Sequence, residues 1–161
     1  MKKIGLSVAG VLALLTFMGV GLAADLQAVK PAGQKTIVGI WTAIGGADSP
    51  HKGKQLAELE IYQKGNTYEG RYVRLLPAGI AAYGARCTAC TGDRKDKPFD
   101  GMVIIWGMKK TSDNEYTGGR VYDTTKGDDF KCKLSLKDPD TLILSGCLAF
   151  LCEHNYYPRV K

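Results

Sequence analysis

Phe130-Lys131-Cys132-Lys133-Leu134-Ser135-Leu136, closed by Lys137-Asp138-Pro139-Asp140, is the stretch that decides the fold. Phe130, Cys132, Leu134 and Leu136 fall on one side of an extended chain, and Lys131, Lys133 and Ser135 on the other. A two-residue period of apolar and polar side chains belongs to a strand with one wet face. The Asp-Pro-Asp that follows reads as a turn.

The same unit recurs in both directions from there. Upstream, Thr36–Ile44 is a first run, followed by a polar loop over 45–54. Leu56–Gln63 sets Leu59 and Ile61 against Glu58, Glu60 and Tyr62. Lys64-Gly65-Asn66 turns the chain into Thr67–Leu75. Gly101–Met108 is apolar almost throughout, as a strand covered on both faces would be. Glu115–Tyr122 follows, and downstream come Thr141–Phe150 and a last strand over about Glu153–Val160. Periodicity gives about eight strands and no helical period sustained over 11 residues. Eight antiparallel strands in one short domain leave edges to cover, and closing the sheet removes them. The expectation is an all-β fold, a small antiparallel eight-stranded β-barrel, preferred to a sandwich. At eight strands, the interior is either filled by side chains or holds one small ligand.

Residues 1–23 stand apart. Lys2 and Lys3 precede an apolar run from Ile4 to Leu22 that ends in Gly21-Leu22-Ala23-Ala24. This is the pattern of a signal peptide cleaved after Ala23 or Ala24, preferred to an uncleaved anchor. Residues 24–161 then form a single β-barrel domain in the periplasm or outside the cell, with no stable membrane span after processing. The formal charge of +6 is mild. It favours solubility and acidic partners without indicating nucleic acid. Arg71, Arg74, Lys109, Lys110, Lys131 and Lys133 sit on alternating strands, where such residues are usually a solvated face.

There are five cysteines, Cys87, Cys90, Cys132, Cys147 and Cys152. In an oxidising compartment most should pair, and an odd number leaves at least one over. A local Cys87–Cys90 bridge is expected first, then Cys132–Cys147. A redox role for Cys87-Thr88-Ala89-Cys90 wants a helix start or a cation beside the thiolate. Arg86 is adjacent, but no helix is expected after Cys90. Zinc needs a second ligand pair of suitable spacing, and none is present, so neither metal nor cofactor is expected.

On the first strand, Gly39-Ile40-Trp41 reads as barrel closure, with Arg159 from the last strand as the cation over the Trp41 ring. Gly118 and Gly119 inside a strand mark a bend, a bulge or a close approach. The stretch from Pro77 to Asp100 exceeds the common loop length, so it is either functional or tied down. His51 and His154 read as surface residues. No nucleophile elbow, glycine-rich phosphate loop or poised acid–base set is visible, so an enzyme is not the favoured reading. Two functions remain. One is a cup for a small apolar or amphipathic molecule at the open end, with Tyr83, Phe99, Tyr116, Tyr122 and Asp123 as candidate ligand-binding residues. The other is a packed barrel without a ligand, acting through its surface in envelope maintenance or in contact with an envelope protein.

The residues Gly39, Trp41, Tyr68, Gly70, Cys87, Cys90, Lys97, Pro98 and Gly101, with Gly118, Gly119, Tyr122, Asp123, Gly127, Cys132, Gly146 and Arg159, also form a pattern. From about Val38 to its end the chain resembles an uncharacterised exported bacterial family, the domain of unknown function DUF2147, whose members are lipocalin-like. That resemblance implies a lipocalin-like barrel with a Trp–Arg closure at its base, and no activity. The chain departs from the pattern at Tyr116 and at Tyr157-Pro158, where Trp-type residues are usual. Ligand binding does not transfer from true lipocalins by fold alone.

Overall fold

The computed structural model describes residues 36–160. The expected signal peptide lies outside the described residues. Eight strands follow in chain order: β1 Gly39–Ile44, β2 Gln55–Lys64, β3 Thr67–Leu75, β4 Val103–Lys110, β5 Glu115–Asp123, β6 Asp128–Asp138, β7 Thr141–Leu148 and β8 Leu151–Pro158. Each pairs antiparallel with the next, so the sheet is an up-and-down meander. It curls until β1 and β8 nearly meet. They join at one bridge between Trp41 and Arg159 and by a Val160 N–H donated to the Ile40 carbonyl at 2.9 Å. The result is an eight-stranded antiparallel sheet almost closed into a barrel, as its alternation requires.

Side-chain parity explains how the barrel is filled. Leu59 and Ile61 on β2 and Cys132, Leu134 and Leu136 on β6 all point inward and are buried. Outside, the β2–β3 ladder sets Glu58 opposite Arg74 and Glu60 opposite Arg71, each pair at 2.7 Å. Lys133 pairs with Glu115 at 2.5 Å, and Arg120 pairs with Asp129. Arg71, Arg74, Arg120 and Lys133 therefore meet carboxylates instead of forming an open basic stripe.

Two irregularities give the sheet its curvature. Pairing shifts between β3 and β4 leave Ile104 and Ile105 both buried, although they are neighbours in sequence. The second lies between Tyr116 and Gly119. There Gly118 takes φ +80°, and a Cβ on Gly119 would collide with Met108 Sδ and the Trp106 carbonyl. The glycine pair thus serves close approach of β4 and β5, a bulge that bends the wall.

One end of the barrel is a packed base. Ile37, Trp41, Ile61, Met108, Tyr116, Leu134 and Leu142 are almost wholly buried there. The Trp41 indole donates to the Ile37 carbonyl at 2.8 Å. Arg159 lies over the Trp41 ring at 4.0 Å from its centroid. Its guanidinium donates to the carbonyls of Val38 at 3.0 Å, Thr36 at 2.8 Å and Pro139 at 2.9 Å. Gly39, at φ +141°, leaves room for this plug: a Cβ there would stand 2.5 Å from Arg159 Nη1.

The stretch over 77–100 is not wholly irregular. It opens with a seven-residue helix α1, Pro77–Tyr83, and later makes a short 3₁₀ turn at Gly92–Arg94. Proline at the first helical position presets φ and gives up an N–H that has no intrahelical partner there. Gly79 lets the helix rest on the Leu56 carbonyl of β2. Seven residues is too short to leave a helical period in the sequence.

Cysteine pairing corrects one expectation. Cys87 and Cys90 are bridged, with Cα atoms 5.3 Å apart. Cys147, however, is bonded to Cys152, not to Cys132, which is free and buried. Cys132 points into the barrel from β6, opposite Gly146, whereas Cys147 faces outward one residue on. Side chains on opposite faces of a sheet cannot be joined. Cys147 and Cys152 stand directly opposite across the β7–β8 hairpin with Cα atoms 4.1 Å apart, well within reach.

Candidate functional site

Above the packed base the barrel stays open. A cavity of about 540 Å³ runs from a floor at Leu59, Leu144 and Tyr157 to the far mouth. Its walls are Ala57, Tyr72, Ile104, Val121 and Phe130, and its rim includes Tyr83, Phe99, Asp123, Lys126, Glu153 and Asn155. Small-residue positions create part of the space. Gly146 faces the interior with only Val121 near the place of a Cβ, at 3.6 Å.

One side of the mouth is built by the long connection between β3 and β4. Phe99 is buried between Tyr72, at 5.8 Å between ring centroids, and Tyr83, at 6.5 Å. The bridged Cys87–Cys90 segment docks on the β5–β6 turn, where Thr91 donates its N–H to the Tyr122 hydroxyl at 2.8 Å and its own hydroxyl to the Gly127 carbonyl at 2.8 Å. A Cβ on Gly127 would press on the Ala89 carbonyl at 2.6 Å. Arg94 reaches over the outside, between Trp106 at 5.0 Å and Tyr122 at 4.5 Å, and donates to the Val103 carbonyl at 3.3 Å. The long connection is therefore tied to the barrel along its length, and the Cys87–Cys90 bridge fastens it without an exposed thiolate.

The polar groups deepest in the cavity are the hydroxyls of Tyr72 and Tyr157, and the charged groups stand at the rim. Burial pushes the Tyr72 hydroxyl up to about 12. The Tyr157 hydroxyl is pushed up as well, by burial first and by neighbouring acidic groups second. Asp123 is one of the charged groups at the rim. Burial alone would raise it, but the Thr125 hydroxyl and N–H and the Lys126 N–H hydrogen-bond its carboxylate, and together with the Lys126 charge they hold it below the usual range. It caps the β5–β6 turn at the rim. Cys132, enclosed nearby, has its thiol pushed up to about 12 by burial.

Of the residues singled out from sequence, Tyr83, Phe99, Tyr122 and Asp123 border the cavity. The Tyr122 side chain is spent on holding Thr91 and Arg94. Tyr116 is a correction. It lies at the base, edge-on to Tyr68 at 4.8 Å, and is buried away from the mouth. Strand β5 runs from base to mouth, so its first and last tyrosines lie at opposite ends of the barrel. The reading from sequence missed Tyr72, Phe130, Leu144, Glu153, Asn155 and Tyr157. Inward parity on β8 was the available signal for the last three. Among the described residues no group of three or more His, Cys, Asp or Glu side chains is placed to hold a metal, and no helix is long and apolar enough to cross a membrane.

A family model described as "Uncharacterized protein conserved in bacteria (DUF2147)" matches residues 39–159. The chain belongs to that family. The matched span of this DUF2147 member begins at Gly39 and ends at Arg159, the two residues that meet in the base plug. No curated protein matches the chain. Among solved structures, the DUF2147 chain is similar to protein HP1028 from Helicobacter pylori, described as belonging to the lipocalin family. The TM-score is 0.63 at 11% identity, over 78% of this chain and 84% of that one. At that identity the likeness carries the fold, which is lipocalin-like, and nothing about cargo.

Proposed function

We propose that this domain is an exported binding cup, working in the periplasm or outside the cell, that holds one small apolar or amphipathic molecule. The observation that carries the reading is the cavity of about 540 Å³ standing open above a plugged base. Pockets that take small ligands fall in the range of roughly 300–1,000 Å³, largely apolar with a few placed polar groups. Here the floor and walls supply Leu59, Ile104, Val121, Phe130 and Leu144. The rim groups Asp123, Lys126, Glu153 and Asn155 sit where a polar head would emerge, and the hydroxyls of Tyr72 and Tyr157 offer hydrogen bonds inside. Export rests on the basic head and apolar run of residues 1–23, and suits a domain with two disulfides.

Native mass spectrometry of protein purified gently from its own envelope tests this. A bound small molecule that leaves on denaturation is the expected result. A bare mass from repeated preparations, together with failure to take up any acyl-chain probe, would overturn the reading. It would favour a barrel that works through its surface.

A further inference from the structure

Leu148, Phe150 and Leu151, at the tip of the β7–β8 hairpin, are the most exposed large apolar side chains described, at 68%, 89% and 68%. We infer that this tip inserts into a lipid bilayer and sets the mouth of the cup against the membrane surface. The inference goes beyond the binding reading and stands without it.

Four observations point to lipid as the occupant. First, the tip is locked. Cys147 and Cys152 are bonded directly below it, so its side chains are presented with little ordering cost. Second, its backbone is provided for. The ladder runs to the Leu148–Leu151 pair, leaving only Ala149 and Phe150 beyond it, as entry into an apolar medium requires. Third, the patch is small. Three such side chains offer about 400 Å², against roughly 800 Å² per partner in a standard protein interface. A rigid protein or a second copy would find too little to hold, whereas a bilayer needs only a wedge. Fourth, Leu148 and Leu151 also line the cavity, so one apolar surface runs from the tip into the cup. Beside the tip, Lys131 stands opposite Cys147 on the outer face, at the height of lipid phosphates once the tip is inserted.

The test is flotation of the full-length protein, purified as the cell leaves it, with phosphatidylcholine vesicles, and separately with vesicles that also contain phosphatidylglycerol. The protein should float with both. Phe150→Asp should lower partitioning by about tenfold or more, the scale of one large apolar side chain. Ile80→Asp, a control on the exposed face of α1, should not. Four results would overturn the inference. One is wild-type protein that floats with neither vesicle, and a second is Phe150→Asp that floats as well as wild type. Another is binding only to the anionic vesicles that salt abolishes, which would assign it to lysines alone. The last is a wild-type dimer in sedimentation equilibrium that Phe150→Asp dissociates, which would make a second copy the occupant. Cargo retention is read separately by mass, so an empty cup and a non-inserting tip give different failures.

Discussion

Replacing Arg159 with methionine should cost the fold about 2–3 kcal/mol, because one side chain closes the base. Its guanidinium makes three hydrogen bonds, to Val38, Thr36 and Pro139, at 3.0, 2.8 and 2.9 Å. These are partly solvated, so about 1 kcal/mol each is the appropriate scale. The stack on Trp41, at 4.0 Å, adds about 1 kcal/mol. Against this total stands about 1–2 kcal/mol of side-chain entropy recovered when the arginine is released. Methionine keeps the stem packed on the indole, so the loss reports the head group. Urea unfolding followed at a far-ultraviolet band reads it. The midpoint should fall by about 1–2 M with the slope unchanged, since the slope follows total surface exposed. Arg159→Lys should recover less than half, because an ammonium cannot reach three carbonyls placed around a planar fork. Gly39→Ala should be damaging for the same reason, its methyl standing 2.5 Å from Nη1. A midpoint for Arg159→Met within about 0.3 M of wild type would refute the reasoning, since such a shift is worth under about 1 kcal/mol. So would an unchanged amide exchange rate at Val160, whose N–H bonds to Ile40 across the same seam.

Stability should fall on the alkaline side. Tyr72, Tyr157 and Cys132 are held neutral by burial, so their contribution is full below the unfolded values near 9–10 and is lost as pH rises toward 12. The displacement of Tyr72 from 10 to about 12 alone corresponds to about 3 kcal/mol, and Tyr72→Phe should flatten the alkaline limb of a denaturation series. On the acid side Asp123 has a lowered value, so its contribution is full above about 4 and is lost as pH falls through the folded value. Asp123→Asn should remove that part of the acid sensitivity. Alkylation of unreduced native protein should label no cysteine, and after unfolding it should label Cys132 alone. Mild reductant should open Cys147–Cys152 before Cys87–Cys90, whose cysteines are 1% and 2% exposed.

Much of the fold was legible because strand parity is a local property. The alternation in 130–136 and in 56–63 assigns the inward faces without knowledge of any partner. Breaks in that parity were not legible. Ile104 and Ile105 both turn inward only because β4 carries an extra residue against β3. The missed disulfide has a similar cause. Ala149 takes φ +52° in a turn without glycine, asparagine or proline, so the hairpin that brings Cys147 to Cys152 left no turn signature. For the cavity, Tyr83, Phe99 and Asp123 were findable from the long loop and the strand end. Tyr116 went astray because side-chain type was weighed without strand direction. Over the six residues from Tyr116 to Tyr122 a strand advances about 20 Å, the difference between base and mouth. Tyr72 and Phe130 needed the closed barrel to show that two distant strands face one space.

The proposed function needs a cup that is open inside and able to hold cargo, and Gly146 offers a way to stopper it. Its Cβ direction points into free interior space, and its φ is one that any residue adopts. Titration of the wild type with a fluorescent acyl-chain probe should saturate at one molecule per barrel. Gly146→Trp should abolish that binding while its urea midpoint stays at or above that of the wild type. Unchanged probe affinity in a folded Gly146→Trp protein would place the cargo elsewhere and contradict the account.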